Sequence, residues 1–306
     1  MKIGVIGAGA VGLYYGSLLQ RAGHDVRFLL RRDYDAIAGS GLTVTSPAGG
    51  FHLEQVQGFR NPRDMGTVDL VLVALKAFAN RYLVEMVRPL LGERTALLTI
   101  QNGLGNEELL ADAFGGDRVL GGVAMIGVTR GEPGVVNHMA LGSIRLGEFN
   151  GGRSGRSEQL AAMFTDAGVT CEAVADLRKI RWEKLVWNIP FNGLCALTSQ
   201  TPGKLLANPA THRLVAEIMD EVIAGGNAQG LSEPISREYG DEMLTSTVRH
   251  TSDYRPSMMV DRLEGRPLEL EAIYRIPLDY AARQGVPMVR VGMLHALLDQ
   301  GEPVQS

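Results

Sequence analysis

Met1-Lys2-Ile3-Gly4-Val5-Ile6-Gly7-Ala8-Gly9-Ala10-Val11-Gly12 opens the chain with a short β-rich apolar run, a glycine turn and, through Leu13, Leu18 and Leu19, the start of a helical pattern. The glycines fall as Gly-x-Gly-x-x-Gly between a strand and a helix, the order in which such a turn receives a dinucleotide. Each glycine has a physical task. Gly7 permits the tight turn, Gly9 lets the main chain come up to a pyrophosphate at the helix N-terminus, and Gly12 lets helix and strand pack closely. The candidate cofactor contacts here are Gly7, Ala8, Gly9, Ala10, Val11 and Gly12. A glycine-rich turn that binds nothing is the alternative.

Asp25-Val26-Arg27-Phe28-Leu29-Leu30 reads as the second strand. A turn that binds NAD places a carboxylate at the end of that strand, about 20 residues beyond the glycines. Here the strand ends in Arg31-Arg32. Two guanidiniums suit a 2′-phosphate, so the expected cofactor is NADPH, with Arg31 as its contact. A solvated basic turn is the other reading, and Asp33 just beyond leaves room for it.

Up to about Val174 the chain alternates β-rich runs with helical patterns, the signature of a mostly parallel sheet with right-handed crossovers. Residues 42–45 and 51–56 read as a hairpin, and 69–75 and 95–100 as buried central strands. Residues 118–124, a pair around Val135-Val136 and 143–146, and 169–174 read as further strands, with a short helix starting at Ser157. From Asp176 onward the pattern is one of long helices. Asn208-Pro209 is an N-cap followed by a first-turn proline, and Pro287 starts a terminal helix through Leu297. Pro190 and Pro277 sit inside helical patterns, where each should kink or break the helix. The expected class is α/β: a Rossmann-type, mostly parallel sheet domain over residues 1–175, followed by an all-α domain over 176–306.

At 306 residues, 45% hydrophobic and 21% charged, the chain is long enough for two domains with proper cores. The net charge of −4 argues against nucleic acid or an anionic membrane as the main partner, while leaving room for a local cationic pocket around a small anion. Cys171 and Cys195 lack CxxC spacing and fit buried free thiols in a reducing compartment. The strand beginning at Lys2 leaves no signal peptide, and no apolar run approaches the roughly 18 residues a membrane span needs, so the expected location is the cytoplasm. Six scattered histidines show no ligand spacing, and no metal is expected. A homodimer is an allowed assembly that the sequence leaves open.

Lys184, Asn188 and Asn192 recur every fourth position in WEKLVWNIPFNGL and line one helix face among Leu185, Val186, Trp187 and Phe191. A solvated face would carry Glu, Lys or Arg, and a core face Leu or Val. One cation and two amides in apolar company suggest a substrate floor, or else a buried polar network bracing two domains. At the carboxyl ends of the buried strands, where open parallel sheets bind ligands, stand Lys76 and Gln101-Asn102-Gly103. Lys76 is placed to reach the pyrophosphate or the 2′-phosphate, and Asn102 to hold the nicotinamide or a substrate carbonyl. A solvated lysine and a plain Asn-Gly turn are the alternatives.

Taken in order, these residues resemble the ketopantoate reductase (2-dehydropantoate 2-reductase) family over nearly the whole chain. The resemblance rests on Gly7 to Gly12, Arg31, Leu75-Lys76-Ala77-Phe78, Gln101-Asn102-Gly103-Leu104-Gly105, Trp182-Glu183-Lys184-Leu185 with Asn188 and Asn192, Ser257-Met258 and Glu269. It implies NADPH-dependent reduction of a 2-oxo acid, with the helical domain closing over the nucleotide-binding one. It makes Lys184 the catalytic lysine, Glu269 a substrate-binding and catalytic carboxylate, and Asn102, Asn188, Asn192 and Ser257 substrate contacts. The chemistry agrees, since a ketone oxygen gains negative charge as hydride arrives, and an ammonium both stabilises that charge and donates the proton.

The sequence also departs from the family. Leu268 and Glu271 flank the glutamate where the family commonly reads Thr-Glu-Ile-Asp, and Tyr274-Arg275 replace an Asn-Gly pair. An aromatic and an extra cation near the pocket would alter which 2-oxo acid fits. A relative reducing a different oxo acid or imine, and a non-catalytic NADP(H) sensor, remain as alternatives.

Overall fold

The structure, a computed structural model, describes residues 1–301. Its chain separates into two compact units, Met1–Gln101 with Asn106–Leu177, and Asn102–Gly105 with the chain from Arg178 on. The grouping of the short loop Asn102–Gly105 with the second unit has no signal in the sequence. Residues 302–306, the end of the expected second domain, lie outside the described residues.

In chain order the first unit runs β1 (Lys2–Ile6), α1 (Ala10–Arg21), β2 (Asp25–Leu29), α2 (Tyr34–Ser40), β3 (Leu42–Thr45), β4 (Phe51–Leu53), β5 (Gln57–Phe59), β6 (Val68–Val73), α3 (Leu83–Val87), β7 (Leu91–Thr99), α4 (Asn106–Phe114), β8 (Val119–Arg130), β9 (Val135–Glu148), α5 (Gly155–Asp166) and β10 (Cys171–Ala173). The strands lie in the order β4-β3-β9-β8-β7-β6-β1-β2-β5, with β10 on β9. From β5 through β2, β1, β6 and β7 to β8 every pairing is parallel. Within that order β1-β2-β5 and β6-β7-β8 run out in opposite directions, as in a doubly wound sheet, while the β3-β4 pair, between β2 and β5 in the chain, lies at the far edge beyond β9. The switch point falls between β1 and β6, so the carboxyl ends of these strands frame the ligand crevice of the sheet.

The central strands are buried on both faces, which accounts for their continuous apolar runs. Leu70 and Leu72 of β6 join one core cluster, and Val71 and Val73 join the other. Several expectations need correction at the sheet's margins. The two runs around Val135 and Ser143 form a single strand, β9, which passes through a bulge where Leu141 and Gly142 adopt φ of 63° and 125°. β5 went unforeseen because its three residues include a glycine, and pairing with β2 rather than propensity makes it a strand. Ser157 is not the first residue of α5 but the reciprocal partner of the N-cap Ser154.

The second unit is helical: α6 (Leu177–Thr198), α7 (Pro202–Ala207), α8 (Pro209–Asn227), α9 (Arg237–His250), α10 (Ser257–Leu263), a π turn (Glu271–Arg275), α11 (Ile276–Arg283) and α12 (Val289–Asp299). Asn208 caps α8 by accepting from Ala210 N at 2.9 Å. The terminal helix starts at Val289, two residues after Pro287. α6 runs through Pro190 without a break, so of the expected kink or break the break does not occur. Packing outweighs the missing hydrogen bond, because Leu185, Val186, Ile189, Phe191 and Leu194 along it are all core residues. Pro277 sits in the first turn of α11 directly after the π turn, where no α-helical donor is required of it.

Tyr274, in the π turn, is fully buried. Its Oη donates to Ile189 O of α6 at 2.9 Å and lies 4.0 Å from Met258 Sδ of α10. Burial pushes its phenol well above the ordinary tyrosine value, so it stays a donor throughout the working pH range. A Cβ at Gly193, one helical turn beyond Ile189, would stand 2.5 Å from that hydroxyl, which accounts for a glycine inside a helix. Among the described residues no helix is long and apolar enough to cross a membrane. Tyr274→Phe keeps the ring and loses only the bond to Ile189. Its unfolding free energy in urea should fall by about 1 kcal/mol, and an unchanged midpoint would show that the hydroxyl holds nothing.

Candidate active site

In the first unit the glycine turn follows β1 at the switch point. Gly7 has φ of 98°, and a Cβ there would lie 2.3 Å from Leu75 N, so the turn presses directly on the backbone that follows β6. A Cβ on Gly12 would meet Gly7 O at 2.3 Å, which is the close helix–strand approach expected of it. Gly9 differs. Nothing lies within 4 Å of a Cβ built on it, and its φ of −82° suits any residue, so the backbone before α1 faces open space. Gly7, Ala8, Gly9, Ala10 and Val11 are half-buried. This geometry, rigid at two glycines and open at the middle one, fits the approach of a pyrophosphate to the N-terminus of α1.

At the end of β2, Arg31 and Arg32 are exposed. Asp33 is 4% exposed, forms an ion pair with Arg130 and accepts from Gly134 N at 3.3 Å. Its carboxylate is committed inside the unit, and the neighbouring Asp35 is paired with Arg60 at the end of β5, so neither carboxylate is bonded to the two guanidiniums. Lys76, half-buried, follows β6 and caps a 3-10 turn over Ala77–Tyr82.

The remaining candidates, Lys184, Asn188, Asn192, Asn102, Ser257 and Glu269, belong to the second unit, apart from the cofactor set. α6 brings three of them to one face at successive turns of about 6 Å rise. Lys184 is half-buried there, while Asn188 and Asn192 are 2% and 3% exposed. Asn188 Nδ2 is buried without a hydrogen-bond partner among the described residues. An amide left so costs about 1–3 kcal/mol, a cost that a bound acceptor would remove. Ser257 opens α10, half-buried, and Glu269 is 4% exposed two residues before the π turn, its carbonyl accepting from Ile273 N at 3.1 Å. The Asn102 loop docks on that same turn, Leu104 N donating to Ala272 O at 2.9 Å. The backbones carrying Asn188, Ser257, Glu269 and Asn102 therefore meet around Ala272 and Tyr274.

The residues that depart from the family pattern around the glutamate serve packing and surface pairing. Leu268 and Tyr274 are core residues. Arg275 is exposed and ion-paired with Glu271 and Asp279 on its own helical face. Sequence reasoning did not single out Tyr274 as an anchor, nor Asn80 and Asn106, whose side chains bond each other at 2.9 Å beside the strand ends. Their spacing carries no motif.

A doubly wound sheet with a glycine turn at its first crossover, continued by a helical unit with a Lys-Asn-Asn face, defines a two-unit Rossmann-type class. The chain belongs to the ketopantoate reductase family PanE/ApbA, whose model matches residues 3–151 and whose C-terminal model matches residues 176–302. It is 38% identical over 299 residues to a 2-dehydropantoate 2-reductase of Nostoc sp., covering 96% of this chain and 93% of the relative. The crystal structure of a 2-dehydropantoate 2-reductase from Geobacter metallireducens is 57% identical with a TM-score of 0.96, covering 98% of this chain and 99% of that one. One from Methylococcus capsulatus is 31% identical with a TM-score of 0.89, covering 98% and 96%.

The glycines separate folding from binding. Gly9→Ala, with room for its methyl group, should melt within a few degrees of the parent yet bind the dinucleotide at least tenfold more weakly, whereas Gly7→Ala should lose stability outright. Calorimetry and cofactor titration check this, and undiminished affinity in Gly9→Ala would remove the turn from the cofactor site.

Proposed function

We propose that the protein is an NADPH-dependent 2-oxo acid reductase, with 2-dehydropantoate as its substrate and pantoate as its product. The family supports the reaction class, and the Geobacter and Methylococcus crystal structures carry the same activity in their names. The observation that carries the reading at residue level is the buried Asn188 Nδ2, without a hydrogen-bond partner among the described residues and one turn from Lys184 on α6. A purely bracing helix would have satisfied that amide internally.

When bound, NADPH supplies the hydride that reaches the ketone carbon. Lys184, as the ammonium, lies by this reading against the ketone oxygen, stabilises the charge developing there and donates its proton, so that the oxygen becomes a hydroxyl. Solvent then restores the proton on Nζ. Asn188, Asn192 and Ser257 orient the acid through its oxygens, Glu269 accepts a hydrogen bond from the substrate hydroxyl, and Asn102 fixes the nicotinamide or the carbonyl. NADPH rather than NADH is supported by Arg31 and Arg32 remaining exposed while Asp33 is ion-paired with Arg130. With Tyr274 in the core and Arg275 paired on the surface, the departures from the family pattern give no reason to favour another acid.

A panel of 2-oxo acids followed by NADPH absorbance tests the proposal. 2-Dehydropantoate should give the highest kcat/KM, NADH should be at least tenfold poorer, and Lys184→Ala should lower kcat by about 10²–10⁴. Near-native turnover in Lys184→Ala would eliminate the proposed proton donor.

A further inference from the structure

The chain leaves the first unit after Gln101 and rejoins it at Asn106, and between these points lies the four-residue loop that carries Asn102. One side chain holds both ends of that loop. Gln101 Nε2 donates to Asn80 Oδ1 at 2.8 Å, and Asn80 Nδ2 donates to Asn106 Oδ1 at 2.9 Å. Thr99 Oγ1 donates to Gln101 Oε1 at 3.0 Å, so the bonds all run in one sense, from the hydroxyl to the last carbonyl. Thr99 and Asn106 are fully buried and Gln101 is 3% exposed. Polar groups cost desolvation that only matched partners offset, and what a matched, directional relay adds is a single geometry.

Asn80 also belongs to the 3-10 turn that starts at Lys76, where Ala79 N donates to Lys76 O at 2.9 Å. Its carboxamide therefore links two segments that follow adjacent parallel strands, β6 and β7, at the ligand-binding edge of the sheet. We infer that Asn80 is a positioning residue for the reaction: by clasping Gln101 and Asn106, the two residues that flank the loop, it sets the backbone from which Asn102 is presented. This role rests on the proposed one of Asn102 as a contact of the nicotinamide or the substrate carbonyl. A side chain misplaced by about 1 Å loses on the order of 10²-fold in rate, so an unclasped loop acts on turnover first.

Kinetics with NADPH and 2-dehydropantoate, together with thermal melts, on Asn80→Ala, Asn102→Ala, their double variant and Asn80→Asp test this. Asn80→Ala should lower kcat by about tenfold or more while the KM for NADPH moves less than threefold. The double variant should be no slower than Asn102→Ala alone, because Asn80 acts through Asn102. Asn80→Asp keeps the acceptor for Gln101 and loses the donor to Asn106, and its kcat should fall between the parent and Asn80→Ala. It also carries the test if Asn80→Ala does not fold. Multiplying losses in the double variant, or parental kcat in both Asn80 variants, would overturn the inference. Parental turnover in Asn102→Ala would overturn it too, by removing the role of Asn102, an outcome distinct from an independent effect of Asn80.

Discussion

The bond from the Tyr274 hydroxyl to Ile189 O is the constraint on which the helical unit turns. A buried phenol without a partner would be costly, so the hydroxyl needs that carbonyl as much as α6 needs the anchor. The site requires a helix that presents a cation and two amides while remaining part of the core, and such a face gives up apolar packing. The opposite side of α6 compensates through Trp182, Leu185, Val186 and Ile189, and Gly193 lets the tyrosine approach. The π turn widens the chain at the point where Ala272 receives the Asn102 loop and Tyr274 reaches α6. Such a turn gives up regular hydrogen bonding in exchange for directing several segments to one place.

The first unit uses a related device. Gly7 is pressed against the backbone at Leu75, which no side chain would allow, and this contact brings the ends of β1 and β6 together beside the switch point. The adjacent Gly9 is left open. Both units thus place bare backbone where a precise approach is needed and leave polar groups unsatisfied or exposed where a ligand would supply the partner. Asn188 Nδ2, without a partner among the described residues, and the exposed pair Arg31-Arg32 are the instances that bear on substrate and cofactor.

Much of this was legible from residues alone, because the physics behind it is local. Strand, glycine turn and helix at residues 1–12 dictate a crossover, and continuous apolar runs such as 69–75 dictate strands covered on both faces. The i, i+4, i+8 spacing of Lys184, Asn188 and Asn192 places them on one helical face whatever surrounds it. What escaped depends on long-range pairing. β5 exists because β2 offers an edge, β9 is continuous because β8 carries it across a bulge, and α6 survives Pro190 because its neighbours are buried. Tyr274 read as a pocket residue because sequence gives its distance from Glu269 along the chain but not the direction its ring takes. The commitment of Asp33 to Arg130, 97 positions apart by number, is hidden for the same reason.

Asn188 Nδ2 has no hydrogen-bond partner among the described residues, and under the proposed function it is the substrate that supplies one. A crystal structure of the ternary complex with NADP⁺ and the 2-hydroxy acid product measures this directly. An oxygen of the bound acid should lie within about 3 Å of Asn188 Nδ2. An acid bound elsewhere, with that nitrogen satisfied by a buried water or a protein carbonyl, would contradict it.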